Sequence, residues 1–170
     1  MFCDARSFNQ PLNKWNVSNV TYMRSMFRNA SSFNQPLNHW NVSNVTSIRG
    51  IFWNATSFNQ PFNTSGNKWN VSNVADMFSM FWGASSFNQP LNTSGSNWNV
   101  SKVTNMYGMF HNASSFNQPL NDWNVSILEY ESEGGRCFLL HGTRFYELHE
   151  YSTGSSVRAA QYGNRRWRVL

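Results

Sequence analysis

Across residues 1–126 the side chains able to move protons are few: Asp4, Asp76, Asp122, His39 and His111. A catalytic site needs such groups to converge in one pocket. Measured against the chain's own 25-residue repeat, these fall at unlike positions, except His39 and Asp122. That pair is three repeats apart, roughly 14 Å at about 4.8 Å per layer, too far for a direct hydrogen bond. They read as solvated surface charge, no catalytic residue is assigned, and a non-enzymatic protein is expected. Metal ligation would fall to Cys137, His141 and His149, whose spacing matches no zinc pattern of paired Cys or His. No metal site and no cofactor are expected. Cys3 and Cys137 stand at opposite ends of the repeats, about 20 Å apart, whereas a disulfide needs Cα atoms within about 7 Å.

Asparagine supplies a different kind of chemistry. There are 25 Asn in 170 residues, and Asn-x-Ser/Thr occurs twelve times, as at Asn16, Asn19, Asn29, Asn41, Asn44 and Asn112. Such a motif accepts N-glycans only in a secretory pathway. Asn also tolerates left-handed backbone, bonds its own turn, and can form ladders of identical side chains between stacked layers. The structural role is the stronger reading. Asn9, Asn34, Asn59, Asn88 and Asn117 are the expected buried ladder.

The elements that position these residues follow from the repeat. Ser-Phe-Asn-Gln-Pro recurs with Phe8, Phe33, Phe58, Phe87 and Phe116; Trp-Asn-Val-Ser recurs with Trp15, Trp40, Trp69, Trp98 and Trp123. Two copies carry four extra residues, at 64–67 and 93–96, and without them the period is a constant 25. An insertion accepted twice at one point marks a surface loop. A fixed period of this length is the signature of a stacked repeat fold. Within a copy, apolar spacings of three and four from Val20 to Ala30 suggest a short helix or 3₁₀ turns. Trp40-Asn41-Val42 alternates as a very short parallel strand would. One copy cannot bury enough apolar surface alone, so neighbours must share the core.

Leu37, Trp40, Val42, Val45, Ile48, Ile51, Phe52, Ala55 and Phe58 form a pattern that resembles the BspA-like leucine-rich repeat. The fuller run Trp-Asn-Val-Ser-Asn-Val-Thr, then Met, Met-Phe, Ala and Ser-Phe-Asn-Gln-Pro-Leu, is similar to the roughly 25-residue repeats of bacterial surface proteins and mycoplasma-type lipoproteins, a family of unknown function. The resemblance spans residues 1–126. It implies a repeat solenoid, a leucine-rich-repeat-like right-handed coil, and an extracellular or cell-surface module for adhesion or binding. Trp in place of the strand's Ile or Leu departs from the generic repeat.

If Trp40 and Val42 point inward, the neighbours face out on a concave sheet. The binding candidates are then the constant row Asn16, Asn41, Asn70, Asn99 and Asn124, and the varying row Lys14, His39, Lys68, Asn97 and Asp122. A protein or cell-surface glycan is the expected partner. A glycan reader would use the Asn and Ser rows plus an exposed Trp or Tyr, with Trp53 and Trp82 as candidates on the opposite side. An ice-binding surface would need an unbroken Thr row, and Thr21, Thr46, Ala75 and Thr104 break it at Ala75.

Charge bounds the remaining classes. Residues 1–126 hold seven basic and three acidic side chains, and residues 127–170 hold six Arg and five Glu, for +5 in all. Thin, scattered positive charge is a poor footprint for nucleic acid. No apolar run reaches the about 18–20 residues of a membrane-spanning helix. Met1–Phe8 aligns without a gap on Met26–Phe33 and no signal peptide is visible, so a fragment of a longer repeat protein is expected. Residues 127–170 lose the repeat and nearly all their asparagine. They are expected to cap the last copy or to add little order, with Phe138-Leu139-Leu140 and Arg144-Phe145-Tyr146 as candidate strands.

Overall fold

A computed structural model describes residues 1–62, 69–91, 98–120 and 123, and the backbone of residues 138–141, 144–149 and 158–161. Within the repeats, a first seam of backbone bonds joins one copy to the next at a constant offset, each N–H reaching the carbonyl one residue before its equivalent. The N–H groups of Met23, Ser25, Phe27 and Asn29 donate to the carbonyls of Ser47, Arg49, Ile51 and Trp53 at 3.0, 2.9, 2.9 and 2.7 Å. Ile48, Gly50, Phe52 and Asn54 donate in turn to Asp76, Phe78, Met80 and Trp82, and Met77, Ser79, Phe81 and Gly83 to Asn105, Tyr107, Met109 and His111. A second seam runs the other way: Thr46 N–H donates to Thr21, Ala75 to Thr46, and Thr104 to Ala75. The copies are therefore laid on one another in parallel, like residue on like.

Between these seams the chain turns on itself. Trp40 N–H donates to Leu37, Val45 to Val42, Ala30 to Phe27 and Phe33 to Ala30, each a three-residue step back. Single turns of this kind, and no continuous helix, stand where a short helix or 3₁₀ turns are expected from Val20 to Ala30. Two left-handed residues in each copy interrupt any regular run. One set is Asp4, Asn29, Asn54, Gly83 and Asn112, with φ between 53° and 66°; the other is Ser25, Gly50, Ser79 and Gly108. Asn, Asp and Gly are the residues that accept this geometry cheaply.

The parallel strand expected at Trp40-Asn41-Val42 is also absent. Parallel bridges occur instead along Tyr22, Ser47, Asp76 and Asn105. Around this segment the N–H groups of Trp40, Ser43 and Val45 are taken locally, by Leu37, the Asn41 side chain and Val42.

Two columns of phenylalanine fill the interior. Phe2, Phe27, Phe52, Phe81 and Phe110 succeed one another at 5.6 to 5.7 Å between ring centres. Phe8, Phe33, Phe58, Phe87 and Phe116 do so at 5.8 to 6.1 Å. Within a copy the two rings lie 3.9–4.1 Å apart. Beside them Trp40, Trp69, Trp98 and Trp123 are at most 1% exposed, whereas Trp15, in the first copy, is 40% exposed. The indole N–H of Trp40 donates to Leu12 O, and that of Trp123 to Leu91 O, so this polar atom too is satisfied by a neighbouring copy.

Beyond the repeats, strands β1 (Phe138–His141), β2 (Arg144–His149) and β3 (Arg158–Gln161) form an antiparallel sheet in the order β1-β2-β3. Phe138 pairs with Glu147, and Tyr146 with Gln161. The expected strand segments 138–140 and 144–146 lie within β1 and β2.

Candidate interaction surfaces

The asparagines near the Trp motif are occupied locally. The Oδ1 atoms of Asn16, Asn41, Asn70 and Asn99 accept the N–H of Ser18, Ser43, Ser72 and Ser101 at 3.0–3.2 Å. Each closes a small turn two residues on, so the constant Asn row shapes the backbone. Asn16, Asn41 and Asn99 are exposed and Asn70 is half-buried. Lys14 and His39 stand exposed, each immediately before the Trp of its own copy. Lys68, Asn97, Asp122 and Asn124 lie outside the described residues.

The second asparagine row forms a seam between copies. Asn9, Asn34, Asn59 and Asn88 each accept the backbone N–H of the next copy's Asn at 2.8–2.9 Å. Gln35, Gln60, Gln89 and Gln118 donate Nε2 to the same Oδ1 atoms at 3.0–3.1 Å, and to the backbone carbonyl of the same Asn. The contact is side chain to backbone and Gln to Asn, not amide stacked on amide. Nor is the row buried: Asn9 and Asn117 are exposed and the three between are half-buried. The edge position of the Ser-Phe-Asn-Gln-Pro segment explains this, since Phe33 faces in and Asn34 and Gln35 flank it on the rim.

Several glycosylation-type asparagines have a conformational role of their own. Asn29, Asn54 and Asn112 hold a left-handed turn. Asn29 Nδ2 donates to Asp4 Oδ1 at 2.6 Å, and Asn54 Nδ2 to Asn29 Oδ1 at 3.1 Å. The Asn29 amide holds the Asp4 carboxyl below its usual range, with the Cys3 thiol and the charges of Arg28 and Arg6 adding to the effect. The same Cys3–Asp4 contact pushes the thiol up.

A different surface, which the motif spacing did not single out, lies outside the parallel seam. Met23, Met26, Phe27 and Ala30 face in, leaving Tyr22, Arg24 and Arg28 exposed. One outer row is Arg24, Arg49, Phe78 and Tyr107. The Arg49 guanidinium lies 3.7 Å from the Phe78 ring centre, and the Phe78 and Tyr107 rings stack at 5.6 Å. The other row is Arg28, Trp53, Trp82 and His111, with successive separations of 5.1, 5.2 and 3.8 Å. Arg24 also covers Tyr22 at 5.3 Å. Between the rows in sequence run the small residues Ser25, Gly50, Ser79 and Gly108. A Cβ on Gly108 would sit 2.7 Å from the Trp82 ring, which shows how closely that indole covers the backbone. The signal in the sequence was substitution between basic and aromatic residues at two fixed positions.

Polar groups anchor this face. Arg24 Nε donates to Ser47 Oγ at 2.9 Å, and Ser47 Oγ donates to Asp76 Oδ2 at 3.1 Å. Asp76 Oδ1 accepts the Phe78 N–H, and Arg24 Nη2 stands 4.0 Å from Asp76 Oδ2. Ser47 is 2% exposed, so its hydroxyl is a buried link with no nearby imidazole to activate it. Among the described residues no group of three His, Cys, Asp or Glu could hold a metal ion, and no helix is long and apolar enough to cross a membrane.

A family model described as "Mycoplasma protein of unknown function, DUF285" matches residues 1–66 and again residues 60–133. No curated protein and no solved structure matches.

Proposed function

We propose that this chain, which belongs to the family described as Mycoplasma protein of unknown function, DUF285, is a non-enzymatic interaction module. In this reading the repeats are a solenoid of the BspA-like, leucine-rich-repeat kind, displayed outside the cell or on its surface for adhesion or protein binding. The observation that carries it is the contrast between positions. Inward residues keep their type from copy to copy, as the two Phe columns do, while outward rows change from Arg to aromatic. A fixed scaffold with varying outer side chains can encode a partner without altering its fold.

A glycan partner is the second reading. Sugar stacking needs an aromatic face open to solvent, yet Trp53 and Trp82 cover one another and are flanked by Arg28 and His111. Tyr22 and Tyr107 are exposed, each with a neighbour over its ring, so a glycan stays the second reading. Ice binding is weaker still, because Ala75 breaks the Thr row and Thr46 Oγ1 bonds to the Thr21 carbonyl.

The test is to titrate the purified chain against a panel of purified cell-surface proteins and a glycan array. Saturable protein binding is expected, and the Lys14→Ala, His39→Ala and Lys68→Ala triple variant reports whether the face beside the Trp motif carries it. Binding confined to glycans, or to nothing on either panel, overturns the reading.

A further inference from the structure

The two outer rows carry charge in an unbalanced way. Arg24, Arg28 and Arg49 are all exposed. Among the described residues, neither Arg28 nor Arg49 has an ion pair, and Arg24 has one at the 4.0 Å limit. The carboxylates nearest them are spent internally. Asp76 takes the Ser47 hydroxyl and the Phe78 N–H, and Asp4 takes the Asn29 amide and the Cys3 thiol. Arg28 and Arg49, resting on rings, keep an in-plane N–H fork that matches a carboxylate bidentately, and Arg24, whose Nε side is engaged by Ser47 and Asp76, offers its remaining N–H groups.

The rings add to this preference. Trp53, Trp82 and Phe78 have faces covered by neighbours in their rows, so what they offer outward is the ring edge, the positive rim of the quadrupole. Edges suit acidic and apolar side chains of a protein better than the stacked plane of a sugar. Arg, Trp and Tyr together are also the residues that dominate protein interfaces. Each row is ordered: cations at Arg24, Arg28 and Arg49, then aromatics through Phe78, Trp82 and Tyr107. Tyr107 is 56% exposed. Four copies at about 4.8 Å per layer give roughly 14 Å, the span of about four extended residues.

We propose that this face docks a short acidic segment of a partner protein, its carboxylates on Arg24, Arg28 and Arg49 and an aromatic or apolar side chain beside Phe78 and Tyr107. The proposal rests on the reading of the chain as an interaction module and assigns that module a site and a partner chemistry. Parallel backbone bonds across the face hold the side chains in place before binding, which lowers the ordering cost.

Fluorescence anisotropy with the whole chain tests it. The probe is the fluorescein-labelled peptide Glu-Asp-Glu-Tyr-Phe, with Lys-Lys-Lys-Tyr-Phe as its charge-reversed counterpart. Chondroitin sulfate and phosphatidylserine vesicles serve as competing anions. The acidic peptide should bind and weaken with salt, and its counterpart should not bind. Arg24→Gln, Arg28→Gln and Arg49→Gln together should weaken binding by about tenfold or more, whereas Lys102→Gln should leave it within about twofold. Tyr107→Ala should weaken it by about threefold, since a half-exposed ring is lost. Three results overturn the proposal: indifference to the triple Arg variant, equal binding of both peptides, or Arg-dependent binding of chondroitin sulfate or vesicles without binding of the acidic peptide. If the chain still binds a purified surface protein while the peptide result is negative, the module reading stands and this site assignment alone falls.

Discussion

The inner and outer sides of the same repeat obey different rules. Inside, Phe27, Phe52 and Phe81 lie ring on ring at 5.6–5.7 Å with no exposure, and each is indispensable to the copies above and below it. Outside, Arg28, Trp53, Trp82 and His111 also form a continuous column, yet four residues of three chemical kinds serve equally well. Stacking alone therefore does not demand identity. A closed volume limits side-chain size along the Phe columns, although Phe62 stands at a buried position that Leu37 and Leu91 hold in other copies. At the surface, solvent fills the difference.

This contrast can be broken most directly at Phe52. Phe52→Ala opens a void bordered by Phe27, Phe58, Phe62 and Phe81, and should cost about 3–5 kcal/mol in denaturant unfolding. A cost under about 1 kcal/mol would show that the interior is no more constrained than the rim.

The seam sits between the two extremes. Asn59→Ala removes an oxygen that accepts from Asn88 N–H and Gln89 Nε2, and should cost about 1–3 kcal/mol. Gly83→Ala should cost a comparable amount, about 1–2 kcal/mol, because φ is +66° and the new Cβ would run into the Asn54 amide oxygen. Replacing Gly83 by Asn, the residue three of its four equivalents carry, should hurt less only if the Asn54 side chain can swing aside. Thermal denaturation of the two variants side by side decides this.

On the outer side the effects shrink. A double-mutant cycle on Arg49 and Phe78 should return about 0.5–1 kcal/mol of coupling, the size of an exposed cation–π contact. The smallest effect concerns Asp4. Its carboxyl is held down in the folded chain chiefly by the Asn29 amide. A depressed folded value means the contribution is present above the unfolded value and lost as pH falls through the folded one. Asn29→Ala should therefore lower stability slightly near neutrality and flatten the acid limb, the two curves converging once pH falls below the folded value. An unchanged acid limb would show that the hydrogen bond has no weight in solution.

Much of the interior was legible without coordinates. Trp40, Trp69, Trp98 and Trp123 recur on a constant period, and periodicity in a chain that must bury aromatics leaves few other arrangements. The local conformation was not legible. The spacing of Val20, Met23, Met26, Phe27 and Ala30 is what a helical turn and a chain of separate turns both produce. What separates them is the left-handed geometry at Ser25 and Asn29, and Ser carries little hint of it. The outward rows were only partly legible for a related reason. Asn16 and Asn41 look like display residues in sequence, but their Oδ1 atoms are consumed by their own backbone two residues on. The Arg and aromatic rows gave a weaker pattern because their members differ chemically from copy to copy.

Sequence by itself determined which residues share a layer, because a fixed period makes equivalent positions meet whatever path the chain takes between them. Only the tertiary structure decided which way the backbone groups point. Each N–H has a choice between its own turn and the neighbouring copy, and the two differ by less than any propensity can resolve. That choice placed the parallel bridges at Tyr22, Ser47, Asp76 and Asn105 and turned Trp40–Val42 inward on itself. It also set the basic and aromatic side chains on the outward face of the seam.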